Sequence, residues 1–203
     1  MGSLIDYLPE DCLCHVMSLT SPRDAYNFSL TSTRFRSVVD SDVMWQAFLP
    51  SDYVAILSRA VDPVMFTSKK DLFFKLSKNH VLIDRGTMSF GLEISSGAKC
   101  YMISTSLLKI ASIDTPYLYW RRISHPDSRF AEVVERTYPI RLDIVGKIDS
   151  KSLSSKTRYG AYLVYKLTKI YRDISYSLGR MRQQTSVTVG RHISKSTVYL
   201  EPF

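Results

Sequence analysis

The segment from residue 8 to residue 45 limits the possible folds more strongly than any other part of this chain. One apolar helical face is predicted from residues that recur at helical spacing: Leu8, Cys12, Leu13, Val16 and Met17. A second helix start follows at Ser21-Pro22-Arg23-Asp24, where an N-cap residue precedes a first-turn proline and an acid. The segment is therefore predicted to form a series of short helices.

The last helices of this segment add large apolar side chains. Phe35 lies in a third helix, and a fourth begins at Ser41, contains Trp45 and ends before Pro50. Short helices totalling about 40 residues bury too little surface for an independent core. Their apolar side chains therefore either dock onto another protein or pack against the rest of this chain, and spacing alone does not choose between these alternatives.

The order of residues along this segment resembles an F-box. The likeness rests on LPED at its head, SPRD in the middle, STRF further on and a tryptophan at its end. An F-box is a trihelical surface that binds a Skp-family adaptor, and through it the cullin and RING subunits of a ubiquitin ligase. The resemblance implies the following adaptor-binding residues: Leu8, Pro9, Leu13, Val16, Leu30, Phe35 and Trp45.

Residues 51–80 are interpreted as a linker with one short basic helix. Ser68 is a suitable N-cap, and the side chains expected on the buried face of the helix are Leu72, Phe73 and Leu76. The helix also carries four lysines, which we interpret as a solvated face rather than a nucleic-acid contact: Lys69, Lys70, Lys75 and Lys78.

Beyond residue 80 the apolar period changes from that of a helix to that of a strand. Phe90, Leu92 and Ile94 alternate before a Ser-Ser-Gly turn, and further strands are predicted at residues 100–103, 140–148 and 159–167. Short strands without intervening amphipathic helices predict an antiparallel sandwich. The predicted domains are residues 1–50, 51–80 and 81–203.

The strand-rich part resembles the phloem protein 2 family of plants in the stretches KCYMIS, DTPYLYW, IVGKI and RYGAYLVYKLT. In that family an F-box commonly precedes a jelly-roll-like β-sandwich related to a tobacco lectin (Nictaba) that binds N-acetylglucosamine-containing glycans. Similar proteins continue past the position of Glu201-Pro202-Phe203, so this chain is expected to be C-terminally short, with a sandwich that lacks its closing strands.

The resemblance also implies a sugar site at Tyr119 and Trp120. Lectin sites stack an aromatic ring on the apolar face of a sugar, and tryptophan offers the largest such surface. Ser112 and Arg122 stand where the family pattern usually has further tryptophans. Trp120 has a structural interpretation as well, as a half-buried strand aromatic, and this is the interpretation we favour.

Charge is unevenly distributed along the chain. The net charge is +8, but residues 1–68 carry four basic and eight acidic residues. Residues 69–203 carry 23 basic and 11 acidic residues. An acidic start joined to a basic body suggests two modules with different partners. Nucleic-acid binding by the basic body is the weakest of the hypotheses that we consider.

The cysteines and the hydropathy of the sequence indicate in which cellular compartment the protein is expected. Three cysteines, Cys12, Cys14 and Cys100, do not form a disulfide framework and favour a reducing cytoplasmic or nuclear environment. No apolar run is long enough for a membrane span, and the first residues lack the pattern of a secretory signal. Cys12-x-Cys14-His15 has no second ligand pair, so no metal site is predicted.

These observations predict a multidomain α+β protein without catalytic residues or cofactors. No nucleophile elbow, P-loop or dinucleotide-binding motif occurs in the sequence. The leading hypothesis is a substrate-recognition subunit of a Skp–cullin–F-box ubiquitin ligase, whose sandwich selects a protein or glycoprotein target. The alternative is a carbohydrate-binding module whose N-terminal helices pack only within the chain.

Overall fold

The computed structural model describes residues 8–111, 113, 120–136, 142–166 and 182–199. The chain divides into two compact units. The first unit comprises residues 1–106 with 153–155, and the second comprises residues 107–152 with 156–203. Of the helices in the described ranges, none combines the length and hydropathy that crossing a membrane requires.

Six α-helices lie in the described part of the first unit. Their bounds are α1 Glu10–Ser18, α2 Pro22–Phe28, α3 Thr33–Val39, α4 Asp42–Phe48, α5 Tyr53–Leu57 and α6 Lys69–Lys78. The expected caps are present: the Ser21 hydroxyl accepts the backbone N–H of Asp24 at 3.1 Å, and the Ser68 hydroxyl accepts that of Asp71 at 3.0 Å. Four helices occupy residues 10–48, so a trihelical arrangement is not confirmed.

A three-stranded antiparallel sheet follows these helices. Its strands β1 Val81–Ile83, β2 Met88–Leu92 and β3 Lys99–Ile103 are neighbours in the order β1-β2-β3. The β1–β2 turn contains Asp84, Arg85 and Gly86, all with positive φ. The strands predicted around Phe90 and at residues 100–103 are thus confirmed, although Ile94 lies beyond the end of β2.

The core of the first unit joins the N-terminal helices, α6 and the sheet. Its largest fully buried side chains include Leu13 from α1, Trp45 from α4, Phe73 from α6 and Phe90 from β2. Leu72, Phe73 and Leu76 are all completely buried, which confirms the predicted inner face of α6. The helices at residues 10–48 therefore obtain much of their core from α6 and the sheet within the same chain.

The second unit contains three two-stranded antiparallel sheets in its described residues. Lys109–Ile110 (β4) pairs with Ile144–Val145 (β7), Trp120–Ile123 (β5) with Val133–Arg136 (β6), and Arg182–Val189 (β8) with His192–Tyr199 (β9). Single 3₁₀ turns occur at Ser150–Ser152 here and at Thr105–Leu107, where the two units meet along the chain. These pairs are antiparallel, as expected, but a two-layered sandwich is not confirmed.

The prediction of a strand at residues 159–167 is wrong for residues 159–166, which the structure describes. Residues 159–166 form no strand, and residue 167 lies outside the described residues. The alternation in this stretch puts apolar side chains on both faces, and Tyr162 and Val164 are strongly exposed. Such a segment becomes a strand only where neighbours cover it. Of the strand expected at residues 140–148, only Ile144–Val145 forms, with residues 140 and 141 outside the described ranges.

Candidate docking surface of the N-terminal helices

Helix α1 presents an apolar flank to solvent next to its buried face. Leu13 and Met17 point into the core, whereas Val16 is 48% exposed. Cys12, Val16 and Leu19 follow each other at spacings of four and three residues, so all three lie along the same exposed flank. Leu19 was missed by the sequence reasoning, although its spacing from Val16 is the signal that could have found it.

The exposed Leu8 and Pro9 lie just before α1 and are tied to α3. The guanidinium group of Arg34 donates a hydrogen bond to the backbone carbonyl of Leu8. Arg34 belongs to the first turn of α3, whose N-cap is Ser32. This bond holds the start of the α1 segment beside the N-terminal end of α3.

Helices α2 and α3 contribute further apolar side chains. The exposed ring of Phe28 packs against the half-buried ring of Phe35, with centroids 6.0 Å apart. Leu30, in the turn between α2 and α3, is 64% exposed. We call the exposed apolar side chains of this region the docking surface; its members are Leu8, Pro9, Val16, Leu19, Phe28 and Leu30.

Trp45 lies in the core rather than on this surface. Its exposed fraction is 0%, and its indole Nε1 donates a hydrogen bond to the carbonyl of Val39. Its ring also packs against Phe73 and Phe74, with centroid distances of 5.1 and 5.2 Å. Trp45 and the similarly buried Leu13 therefore expose almost no side-chain surface in this structure, and the adaptor contact expected of them remains a prediction.

The opposite flank of α1 borders an open groove with α4. Asp11, Cys14 and Ser18 face Val43 and Ala47 across a groove of about 370 Å³. Burial, followed by the negative charge of Asp11, raises the pKa of the Cys14 thiol. Cys12 is exposed on the other flank, so the two thiols are directed apart. In the described part of the chain, no three His, Cys, Asp or Glu side chains are close enough together to hold a metal ion.

The lysines of α6 differ in their surroundings. Lys75 and Lys78 are exposed, as expected of a solvated face. Lys70 is half-buried and forms an ion pair with Asp40 of the segment after α3. Lys69 Nζ lies 4.5 Å from the centroid of the Tyr53 ring, and its side chain also donates to the Tyr53 hydroxyl. Two of the four lysines therefore attach α6 to neighbouring helices.

Trp120 in the second unit is engaged by its own chain. It is half-buried at the start of β5, and its Nε1 donates to the carbonyl of Ala111 at 3.2 Å. The guanidinium carbon of Arg136, its cross-strand partner, lies 5.2 Å from the ring centroid. These contacts agree with a structural strand aromatic. Tyr119 lies outside the described residues, and the carbohydrate site remains a prediction.

Comparison with known families gives a class to each part of the chain. Residues 5–47 match the F-box domain, so the helices that carry the docking surface are those of an F-box protein. Residues 98–202 match Phloem protein 2. The chain belongs to the phloem protein 2 family, and in this chain an N-terminal F-box precedes antiparallel strands.

The chain is similar to several F-box proteins of Arabidopsis thaliana. It is 38% identical to F-box protein PP2-B1 over 98% of this chain and 58% of that protein. It is 39% identical to F-box protein PP2-B15 over 90% of this chain and 62% of that protein. It is 38% identical to F-box protein VBF over 95% of this chain and 67% of that protein. The chain thus spans roughly three fifths of the length of most of these relatives. No solved structure matches it.

Proposed function

We propose that this chain is a substrate-recognition subunit of a Skp–cullin–F-box E3 ubiquitin ligase. The N-terminal helices bind a Skp-family adaptor, and through it the cullin and RING subunits. The strand-rich body selects a protein or glycoprotein for ubiquitination. The observation that carries the proposal is the docking surface: large apolar side chains between residue 8 and the turn before α3 remain exposed although a well-packed core lies directly behind them.

The contact arrangement supports one continuous interface on these helices. Arg34 links the segment before α1 to α3, and the Phe28–Phe35 pair links α3 to α2. Covering an exposed Leu or Phe side chain stabilises a complex by roughly 1–2 kcal/mol when it becomes a well-packed anchor. Several such anchors on adjacent helices suffice for a specific protein partner.

The proposal divides the predicted adaptor-binding residues by role. Leu8, Pro9, Val16, Leu30 and Phe35 contact the adaptor directly. Leu13 and Trp45 act indirectly, because they fill the core that fixes the positions of α1 and α4.

We further propose three functional parts: residues 1–50 as the F-box, 51–80 as a linker and helix that complete its core, and 81–203 as the phloem protein 2-like body. A subunit of this kind needs no catalytic residue or cofactor, because it accelerates transfer by holding the target close to the ligase. The ubiquitin ligase machinery implies a cytoplasmic or nuclear site of action.

The proposal is tested with purified Skp-family adaptor in a pull-down and by calorimetry. Val16→Glu and Leu30→Glu each place a charge on the docking surface without changing the core, and each is expected to weaken adaptor binding at least about tenfold. Val54→Glu on α5 is the matched control, since Val54 is equally exposed but lies outside the docking surface. Unchanged adaptor binding by both surface variants, or an equal loss in the control, would contradict the proposal.

A further inference from the structure

The β8–β9 hairpin is long and almost fully exposed. Each strand contributes eight residues, paired from Arg182↔Tyr199 to Val189↔His192 around a turn at Gly190. Among its described side chains only Gln183 is buried. A two-stranded hairpin with both faces in water is marginally stable by itself. A further strand added to it would increase its stability and its buried area.

The two faces of the hairpin differ in chemistry. The register places Val187, Val189 and Val198 on one face, and all three are exposed. Arg182 and Lys195 lie on the opposite face. Residues 182–199 include no acidic residue, and Arg191 adds a third full positive charge at the turn. One face of the hairpin therefore carries exposed valines among polar side chains, and the other carries the cations Arg182 and Lys195 together with the exposed Ile193.

Both outer edges of this hairpin are open in the described part of the chain. There, β8 pairs only with β9, and β9 only with β8. An open edge presents a row of backbone N–H and C=O groups with the geometry needed to pair with one more strand. The backbone would supply affinity, and alternate side chains of the added strand would supply specificity.

We propose that the β8–β9 hairpin binds an extended acidic segment of a partner protein as a third antiparallel strand. Side chains of a strand alternate between faces, so the segment that fits has apolar residues at every second position and acidic residues between them. Its apolar residues extend the valine face, and its carboxylates approach Arg182 and Lys195. This inference rests on the proposed function for its biological meaning: the segment is the feature that marks a target for the ligase.

Charge and composition favour this occupant over others. A second copy of the hairpin would bring the same cations together without compensating acids. Single-stranded nucleic acid is usually held by several stacked aromatic rings as well as by cations, and the hairpin offers only His192 at its turn and Tyr199 at its far end. A peptide with alternating acidic and apolar residues can pair with the open strand edge through its backbone. At the same time its apolar side chains can contact the valines, and its carboxylates can approach the cations.

The experiment uses the full chain and a fluorescent peptide of alternating Glu and Val that matches β9 in length. Fluorescence anisotropy is expected to show saturable binding. A peptide of the same composition with its Glu and Val residues in two blocks should bind at least about tenfold more weakly, because it cannot match both faces. The alternating peptide with N-methyl groups at every second amide should also lose binding, since it cannot pair with a strand edge.

Variants of the chain locate the site. Lys195→Glu is expected to weaken peptide binding about tenfold by reversing a charge on the cationic face. Val187→Thr keeps a β-branched side chain and should weaken binding by a smaller factor. Lys151→Glu is the control, because Lys151 is an exposed lysine of the Ser150–Ser152 turn, outside the hairpin. The peptide comparisons use the unchanged protein, so they remain decisive if a variant fails to fold.

Several results would overturn the inference. One is that the block peptide or the N-methylated peptide binds as tightly as the alternating peptide. Another is that Lys151→Glu weakens peptide binding as much as Lys195→Glu does. The inference also fails if an oligonucleotide binds more tightly and displaces the peptide, or if the chain self-associates through the hairpin. Adaptor binding is measured separately. If the chain fails to bind the adaptor but binds the peptide, the proposed ligase function fails and the strand-addition site remains; the reverse result removes only the site.

Discussion

The indole ring of Trp45 packs against the phenyl ring of Phe73, with centroids 5.1 Å apart and ring planes inclined at 46°. Trp45 lies on α4 at the end of the F-box match, whereas Phe73 lies on α6, more than twenty residues beyond that match. Both side chains are completely buried. Helix α6 therefore completes the core that positions the F-box helices, although it is not part of the F-box sequence pattern.

Phe73→Ala is accordingly expected to destabilise the first unit by about 3–5 kcal/mol, because it leaves a cavity against Trp45 and Phe48. Thermal denaturation followed by circular dichroism measures this loss, and adaptor binding should fall with it. Met65→Ala is the control, since Met65 is 78% exposed and its truncation should change stability by less than about 0.5 kcal/mol. Equal stability of the two variants would show that α6 is dispensable for the core.

Local signals in the sequence predicted the helices well. Ser21 and Ser68 were recognised as N-caps, and the apolar spacing in α6 identified its inner face. These features depend on residues a few positions apart, for which backbone geometry leaves little freedom. The burial of Trp45 was not predicted, because periodicity reveals which face is apolar but not whether that face meets its own chain or a partner.

The strand-rich part was harder to predict for the same reason. Alternation correctly located β2 and β3, which form a sheet with local connections. It failed for residues 159–166, where strand formation depends on neighbours distant in sequence. For Trp120 the sequence left a sugar contact and a structural role open and favoured the structural role. Its hydrogen bond to Ala111 and the position of Arg136 agree with that role, but these partners depend on strand pairing and could not be named from the sequence.

Gly91 in β2 is expected to be intolerant of a side chain. A Cβ atom at this position would overlap the imidazole ring of His80. Gly91→Ala should therefore destabilise the first unit by about 1–3 kcal/mol, as measured by chemical denaturation. The double variant His80→Ala/Gly91→Ala tests the cause. Gly91→Ala should lower the free energy of unfolding by less when the imidazole ring of His80 is absent. Additive effects of the two substitutions would rule out this steric explanation.

The turn between β2 and β3 depends on an ionised Glu93. Burial opposes ionisation, but hydrogen bonds from the hydroxyls and backbone N–H groups of Ser95 and Ser96 outweigh it and lower the pKa of Glu93 from 4.5 to about 2. A carboxylate whose folded pKa is lowered stabilises the fold above its unfolded pKa, and this contribution is lost as the pH falls towards the folded pKa.

Glu93→Gln should consequently lower the free energy of unfolding at pH 7 by about 1–2 kcal/mol. The difference from the unchanged protein should shrink as the pH falls from 4.5 towards 2, the interval between the two pKa values. Denaturant titrations at several pH values measure this difference. Asp62→Asn serves as the control, because Asp62 is an exposed carboxylate in the loop before α6. A difference that does not vary with pH would show that ionisation of Glu93 is not responsible.

Trp120 offers a choice between a structural role and a sugar contact. Trp120→Phe keeps an aromatic ring beside Arg136 but removes the N–H that Ala111 accepts, so it should lower stability by about 1 kcal/mol. Trp120→Ala should lower stability further, because the stacking with Arg136 is lost as well. Thermal denaturation of the full chain measures both changes in stability.

A glycan array tests the sugar contact. If Trp120 has only a structural role, no glycan binding on the array should depend on it. Binding to N-acetylglucosamine-containing glycans that disappears in Trp120→Ala while the protein remains folded would instead assign Trp120 to a carbohydrate site.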